Sequence, residues 1–141
     1  MRAVAARVTE ASVTVDGELV GAIDEPGLLV LLGVHRDDTA DKAGVMARKL
    51  HELRILRDEE SVASSAAPIL LVSQFTLYGD TQKGRRPSWS AAARPEEARK
   101  IFDAVATELR ERGVRVSTGK FGSTMAVRSV NDGPFTVLVE V

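Results

Sequence analysis

Cysteine is absent from the 141 residues. That excludes disulfides, thiolate catalysis and cysteine-ligated zinc, and it agrees with a cytoplasmic home. Histidine is nearly absent as well. His35 falls in an expected loop and His51 on an expected helix, neither with an obvious catalytic partner or the spacing of a zinc site, so both read as surface residues. No metal and no cofactor is expected. No serine sits in a G-x-S-x-G elbow, and there is no glycine-rich nucleotide fingerprint. Met1 to Val15 lacks the uninterrupted apolar stretch of a signal peptide or membrane span, so a soluble chain without a membrane partner is expected. The formal net charge of −1 provides no global basic field. Non-specific nucleic-acid binding is therefore not expected, nor a DNA partner, and any RNA contact must be local.

What is present is an ordinary globular balance, 44% apolar and 28% charged residues, enough to bury one core without staples. The length fits a single domain over residues 1–141. Val4, Ala6, Val8, Val13 and Val15 alternate along an opening strand that runs into Asp16-Gly17, a hairpin pair. Leu28 to Val34 is a nearly all-apolar run, as in a strand buried on both faces. Asp38 or Thr39 is placed to cap a helix near Asp41 to Leu53, and Arg57 to Pro68 reads as a surface connection. Pro95, Glu96 and Glu97 open a second helix with apolar Ala98, Ile101, Phe102, Val105 and Leu109, closed by Gly113. Val114 to Thr118, Ser123 to Val130 and Phe135 to Val141 complete the strands. This order shows no repeated strand-helix unit and predicts an α+β domain. Its sheet should be largely antiparallel or mixed and packed with two main helices.

Two segments stand out. In Ser73-Gln74-Phe75-Thr76-Leu77 polar residues interrupt the end of an apolar strand. Simple alternation would send Gln74 and Thr76 to solvent and Phe75 and Leu77 to the core; a functional use of the polar residues is the other reading, and composition does not separate the two. In Asn131-Asp132-Gly133-Pro134-Phe135-Thr136 the plain reading is a turn before the last strand. The sharper one notes that a bond preceding proline is the only kind that adopts cis cheaply, which would turn adjoining carbonyls to one side of a pocket. Between them, Gly79 to Arg94 reads as a long loop carrying Lys83, Arg85, Arg86 and Trp89. Trp89 is expected to pack that loop onto the body.

These runs, together with Arg7-Val8-Thr9, Ala11 to Val15, Gly27 to Val34 and Arg85-Arg86-Pro87-Ser88, resemble the D-aminoacyl-tRNA deacylase family over nearly the whole chain. The resemblance implies a homodimer of barrel-like α+β domains that hydrolyses the ester of D-aminoacyl-tRNA. It places the chemistry at Ser73, Gln74, Phe75 and Thr76. Thr76 has no base nearby in sequence to activate it, so main-chain donors around Phe75 and Thr76 would hold the oxyanion. Gln74 would position the terminal adenosine, and the ribose 2′-hydroxyl would assist water. Gly133 and Pro134, as a cis pair, would enter the partner subunit's pocket and exclude L side chains, leaving glycyl-tRNA as a second substrate. Lys83, Arg85 and Arg86 would meet phosphates near the acceptor end of tRNA. One departure is plain: Glu59 to Pro68 is shorter than the family's usual link and lacks its Gly-Lys-Met-Asn run. Three other readings stay open. One is a module that binds aminoacyl-tRNA without cleaving it, another a related deacylase with a trans Gly-Pro bond that admits small L-residues, and the last a purely structural dimer.

Overall fold

The computed structural model describes residues 1–141. Strand β1 (Arg2–Val15) turns at Asp16 and Gly17, both with positive φ, into β2 (Glu18–Ile23). That is the backbone a two-residue hairpin demands, and it explains why glycine stands at the second position. Strand β3 (Gly27–Gly33) is buried along nearly its whole length. Helix α1 (Asp41–Glu52), a short α2 (Val62–Ser65) and β4 (Ile69–Ser73) follow. A 3-10 turn (Phe75–Tyr78) then leads through a loop to α3 (Pro95–Glu111), β5 (Val116–Thr118) and β6 (Ala126–Glu140).

All six strands share one sheet. β6 runs antiparallel along almost all of β1, while β2 and β3 take successive stretches of β1's other edge, also antiparallel. β4 adds parallel to β3, and β5 parallel to β4. The sheet curls until β5 approaches β2, where Ser117 Oγ donates to the Ala22 carbonyl at 2.9 Å. The fold is thus a mixed, nearly barrel-shaped sheet. The expected lack of repeated strand-helix units is corrected: β3-α1-β4-α3-β5 is a double parallel crossover. The signal was weak because β5 is only three residues long.

Apolar residues separate onto the two faces as the pleat requires. Leu28, Val30, Leu32, Ile69 and Leu71 meet Met46, Leu50, Phe102, Val105 and Leu109 of the two long helices. Leu29, Leu70 and Val72 point the other way and meet Val8, Val13 and Ile23 inside the curl. β3 and β4 are buried on both sides for this reason, and each fully buried Leu, Val or Met there contributes roughly 1.5–3 kcal/mol. Along β1 the buried positions are Ala3, Ala5, Val8, Ala11 and Val13 rather than Val4 and Ala6, because irregular registers around Arg7 and Thr9 shift the pleat.

Neither expected residue caps α1. Its N-cap is Ala40, and Asp38 is instead drawn inward, where its buried carboxylate takes the Met1 ammonium at 2.7 Å, the His35 N–H at 2.7 Å and Lys42 Nζ at 2.9 Å. Burial opposes ionisation of Asp38, but these donors outweigh it and hold the carboxyl below its usual range. The connection after α1 is not all surface. Ser61 caps α2 through a capping box with Ser64, and Ser61, Val62 and Ala67 are buried. The histidines are half-buried rather than on the surface, with His35 edge-on to Tyr78 at 5.1 Å. No helix is long and apolar enough to cross a membrane.

Candidate active site

β4 ends at Ser73, which pairs with Leu32 of β3, and Gln74 N–H makes a last bond to the Leu32 carbonyl at 2.8 Å. The chain then tightens into the 3-10 turn, with Leu77 N–H on the Gln74 carbonyl and Gly79 N–H on that of Thr76. The first residues of any helical turn have amides with no partner inside it, and here the N–H groups of Phe75 and Thr76 donate to no protein acceptor. Gln74 Nε2 donates to Thr76 Oγ1, which fixes the threonine hydroxyl beside the turn. Of the two readings open for this run, simple alternation fails at Phe75: the strand has already ended, so its period stops, and Phe75 is 57% exposed.

Phe75 stands edge-on to Trp89 at 5.2 Å, so Trp89 does pack its loop onto the turn. Arg2 braces the turn's far end, donating to the Leu77 carbonyl at 2.8 Å and lying over the Tyr78 ring at 4.9 Å. Burial, together with the charge of Asp38, pushes the Tyr78 hydroxyl up to about 12. It stays neutral near pH 7.

Beside the turn opens a cavity of about 600 Å³. Ser73, Gln74 and Phe75 line one wall with Leu32 and Val72; Phe102 of α3 and the segment Phe121 to Met125 line the other. Sequence reasoning missed that second wall by assigning Ser123 to Val130 to a strand. The available signal was Gly122, which sits at φ +79° in a turn closed by Ser123 N–H on the Lys120 carbonyl. Thr76 is outside the lining, and the cavity holds no histidine or carboxylate. Lys83, Arg85 and Arg86 are exposed on the loop after the turn, and none is in an ion pair within the chain. That loop is pinched at its base by paired main-chain bonds between Asp80 and Ser88.

Gly133 and Pro134 do not line this cavity. The expected turn is a wide bulge within β6: Val8 pairs with Asn131 and Ala6 with Thr136, so Asp132, Gly133, Pro134 and Phe135 stand opposite Arg7 alone. Pro134 has no N–H to give a ladder, and Gly133 holds φ +110°, open to few other residues. Arg7 fills the gap, donating from Nε to the Asp132 carbonyl at 2.8 Å with its guanidinium over the Phe135 ring at 5.0 Å. Asn131 Nδ2 returns a bond to the Arg7 carbonyl. The expected cis bond is corrected: the Gly133–Pro134 peptide is trans. Trans is favoured by about 0.5–1 kcal/mol before proline, and both residues are exposed, so packing within the chain adds little to reverse that preference.

The matched sequence model for D-Tyr-tRNA(Tyr) deacylase spans residues 4–140. A protein of Kineococcus radiotolerans described as D-aminoacyl-tRNA deacylase is 59% identical, over 99% of each chain. A solved structure described as c-Myc DNA Unwinding Element Binding Protein superposes with a TM-score of 0.92 at 40% identity, covering 100% of this chain and 99% of the other. A probable eukaryotic D-amino acid tRNA deacylase shares the fold, with a TM-score of 0.88 at 19% identity over 99% and 98% of the two chains. An apolar cavity bordered by a turn with free amides is the candidate site, on a fold shared with aminoacyl-tRNA deacylases. The chain belongs to the D-Tyr-tRNA(Tyr) deacylase family.

Proposed function

We propose that this protein hydrolyses the ester joining a D-amino acid to the 3′ end of tRNA, releasing free tRNA and the amino acid. The observation that carries the reading is the turn after Ser73, where two unpartnered N–H groups, of Phe75 and Thr76, lie beside an apolar cavity. Water attacks the ester carbon, the carbonyl oxygen becomes an oxyanion held by those amides, and the bond to the ribose oxygen breaks as that oxygen takes a proton. Preorganised donors of this type contribute about 2.7–4 kcal/mol each to such a step. Thr76 and Ser73 shape the turn, Gln74 orients the terminal adenosine, and the neighbouring ribose hydroxyl assists water. An aminoacyl ester is reactive enough for positioning to suffice, so no cofactor or metal enters the scheme.

The working unit is a homodimer in the cytoplasm. Gly133 and Pro134 are exposed and outside their own chain's cavity, and Phe135 and Leu138 leave apolar surface uncovered along β6. Both facts support a pairing in which one subunit's bulge enters the other's site and crowds the position of an L side chain. Glycyl-tRNA, with nothing to exclude, is a second substrate, and Lys83, Arg85 and Arg86 meet the acceptor-end phosphates. The trans Gly133–Pro134 bond favours one variant of this reading, in which small L-residues such as alanine are also admitted.

Hydrolysis of matched D-tyrosyl-, L-tyrosyl-, glycyl- and L-alanyl-tRNA by the purified protein, with chelator present, tests the scheme. Cleavage of the D and glycyl esters with both L esters spared supports the strict filter, and added cleavage of L-alanyl-tRNA supports the relaxed one. Binding without any turnover replaces the enzyme with a sequestering module. Dimerisation with neither binding nor turnover leaves a structural dimer.

A further inference from the structure

Arg57 lies two residues before the segment that departs from the family's usual link, and it reaches the bulge of β6. Its Nη2 and Nε donate to the two carboxylate oxygens of Asp132 at 2.6 and 3.1 Å, a two-pronged pair. Asp132 immediately precedes Gly133, and its main-chain carbonyl is already held by Arg7. One residue is thus gripped by two guanidinium groups, one through the main chain and one through the side chain. The pair draws the Asp132 carboxyl below its usual range, with Arg57 the largest cause.

Arg57 stands on an anchored base. Leu56 is buried in the helical core, Leu56 N–H donates to the Glu60 carbonyl and Glu60 N–H to that of Arg57. The turn requires Asp58 and Glu59 to take left-handed backbone at φ 58° and 56°, a conformation that non-glycine residues keep only where surrounding contacts impose it. Arg54 adds such a contact, donating to the Glu59 carbonyl at 3.0 Å.

We infer that Arg57 is a positioning residue which, by holding the Asp132 carboxylate, keeps Arg7 on the Asp132 carbonyl and fixes the pose of the Gly133–Pro134 bulge, setting how sharply D- and L-esters are separated. This rests on the reading that the bulge enters a partner's site. The reasoning is geometric: the Asp132 carboxylate lies only 3.6 Å from Arg7 Nε. Without Arg57 it turns to Arg7 and draws the guanidinium away from the carbonyl, Gly133 and Phe135.

The test compares the full-length protein with Arg57→Ala and Arg57→Lys. It reads kcat/KM on D-tyrosyl- and L-tyrosyl-tRNA, and in parallel the amide NMR shifts of Gly133 and Phe135. Arg57 is largely exposed, so the expected effect is modest: about a threefold change in the D-to-L ratio for Arg57→Ala, the scale of a well-formed exposed pair. The shifts of Gly133 and Phe135 move, the D-ester rate stays within about twofold, and Arg57→Lys recovers part of both changes. In the parent protein 0.5 M salt reproduces the change in ratio, since screening weakens an exposed pair; in Arg57→Ala salt adds nothing. An unchanged ratio with unmoved Gly133 and Phe135 amides overturns the inference while leaving the deacylase reading intact. Absence of D-ester turnover in the parent defeats that reading instead, and the amide shifts still decide whether Arg57 holds the bulge.

Discussion

Replacing Gly133 by alanine tests the β6 bulge at its tightest point. A Cβ built on Gly133 lies 2.1 Å from Arg7 Nη2, an overlap that only displacement of the guanidinium relieves. The end of an arginine moves cheaply when free, but this one is engaged on the Asp132 carbonyl and the Phe135 ring. Losing the charged hydrogen bond costs about 1.5–3 kcal/mol and the cation–π contact about 0.5–1. The φ of +110° adds about 1–3 kcal/mol of backbone strain for alanine. Partial relaxation of an exposed bulge lowers the sum, so a loss of about 2–4 kcal/mol in unfolding free energy is expected in urea titration. The two parts separate in a double-mutant cycle. Arg7→Ala removes the contacts but not the strain, so adding Gly133→Ala to it should cost only the strain, less than Gly133→Ala costs alone. Strictly additive single changes, or a Gly133→Ala protein as stable as the parent, would show that Arg7 does not hold the bulge in solution.

Other perturbations have defined outcomes. Asp38→Ala leaves the buried Met1 ammonium without its counter-charge, held only by the Val141 carbonyl, and should cost about 3 kcal/mol in thermal or urea unfolding. The same group sets a pH dependence. Because its folded pKa is depressed below the ordinary value of 3.8, its stabilisation is complete above that value and is lost as pH falls through the folded pKa. Asp38→Ala should therefore flatten the acid limb of the stability curve, and an unchanged limb would remove Asp38 from that role. Neutralising Lys83, Arg85 and Arg86 singly should weaken binding of deacylated tRNA regardless of its sequence. Each change should reduce the slope of log affinity against log salt by about 0.7–0.9 if that residue meets a phosphate. Unchanged slopes would mark the three as solvated loop charges.

Much of the fold was legible in residue pattern because the decisive interactions are local. Asp16-Gly17 fits only a backbone with positive φ, so the hairpin was visible. The three- and four-residue spacing in Asp41 to Leu53 and in Pro95 to Gly113 fixed both long helices to within a turn. The run Leu28 to Val34 declared a doubly buried strand. What pattern did not reveal depends on partners distant in the chain. Asp38 looked like a cap because its neighbours suit one, yet the ammonium of Met1 claims it. Whether Phe75 faced the core stayed open because alternation carries no mark of where a strand stops.

For the site, the Ser73 to Thr76 and Asn131 to Thr136 segments stood out in the sequence because polar or turn-forming residues interrupt apolar runs there. Sequence alone thus determined the family, the opening hairpin, the two long helices and these two segments. The tertiary structure decided that β4 stops at Ser73 and frees two amides, that Phe102 and Phe121 close the cavity's far wall, and that Arg7 and Arg57 converge on Asp132. Propensity and periodicity act over a few residues and are written in order along the chain. A cavity wall or an ion pair between residues 57 and 132 exists only once the curled sheet has brought distant segments within a few ångströms.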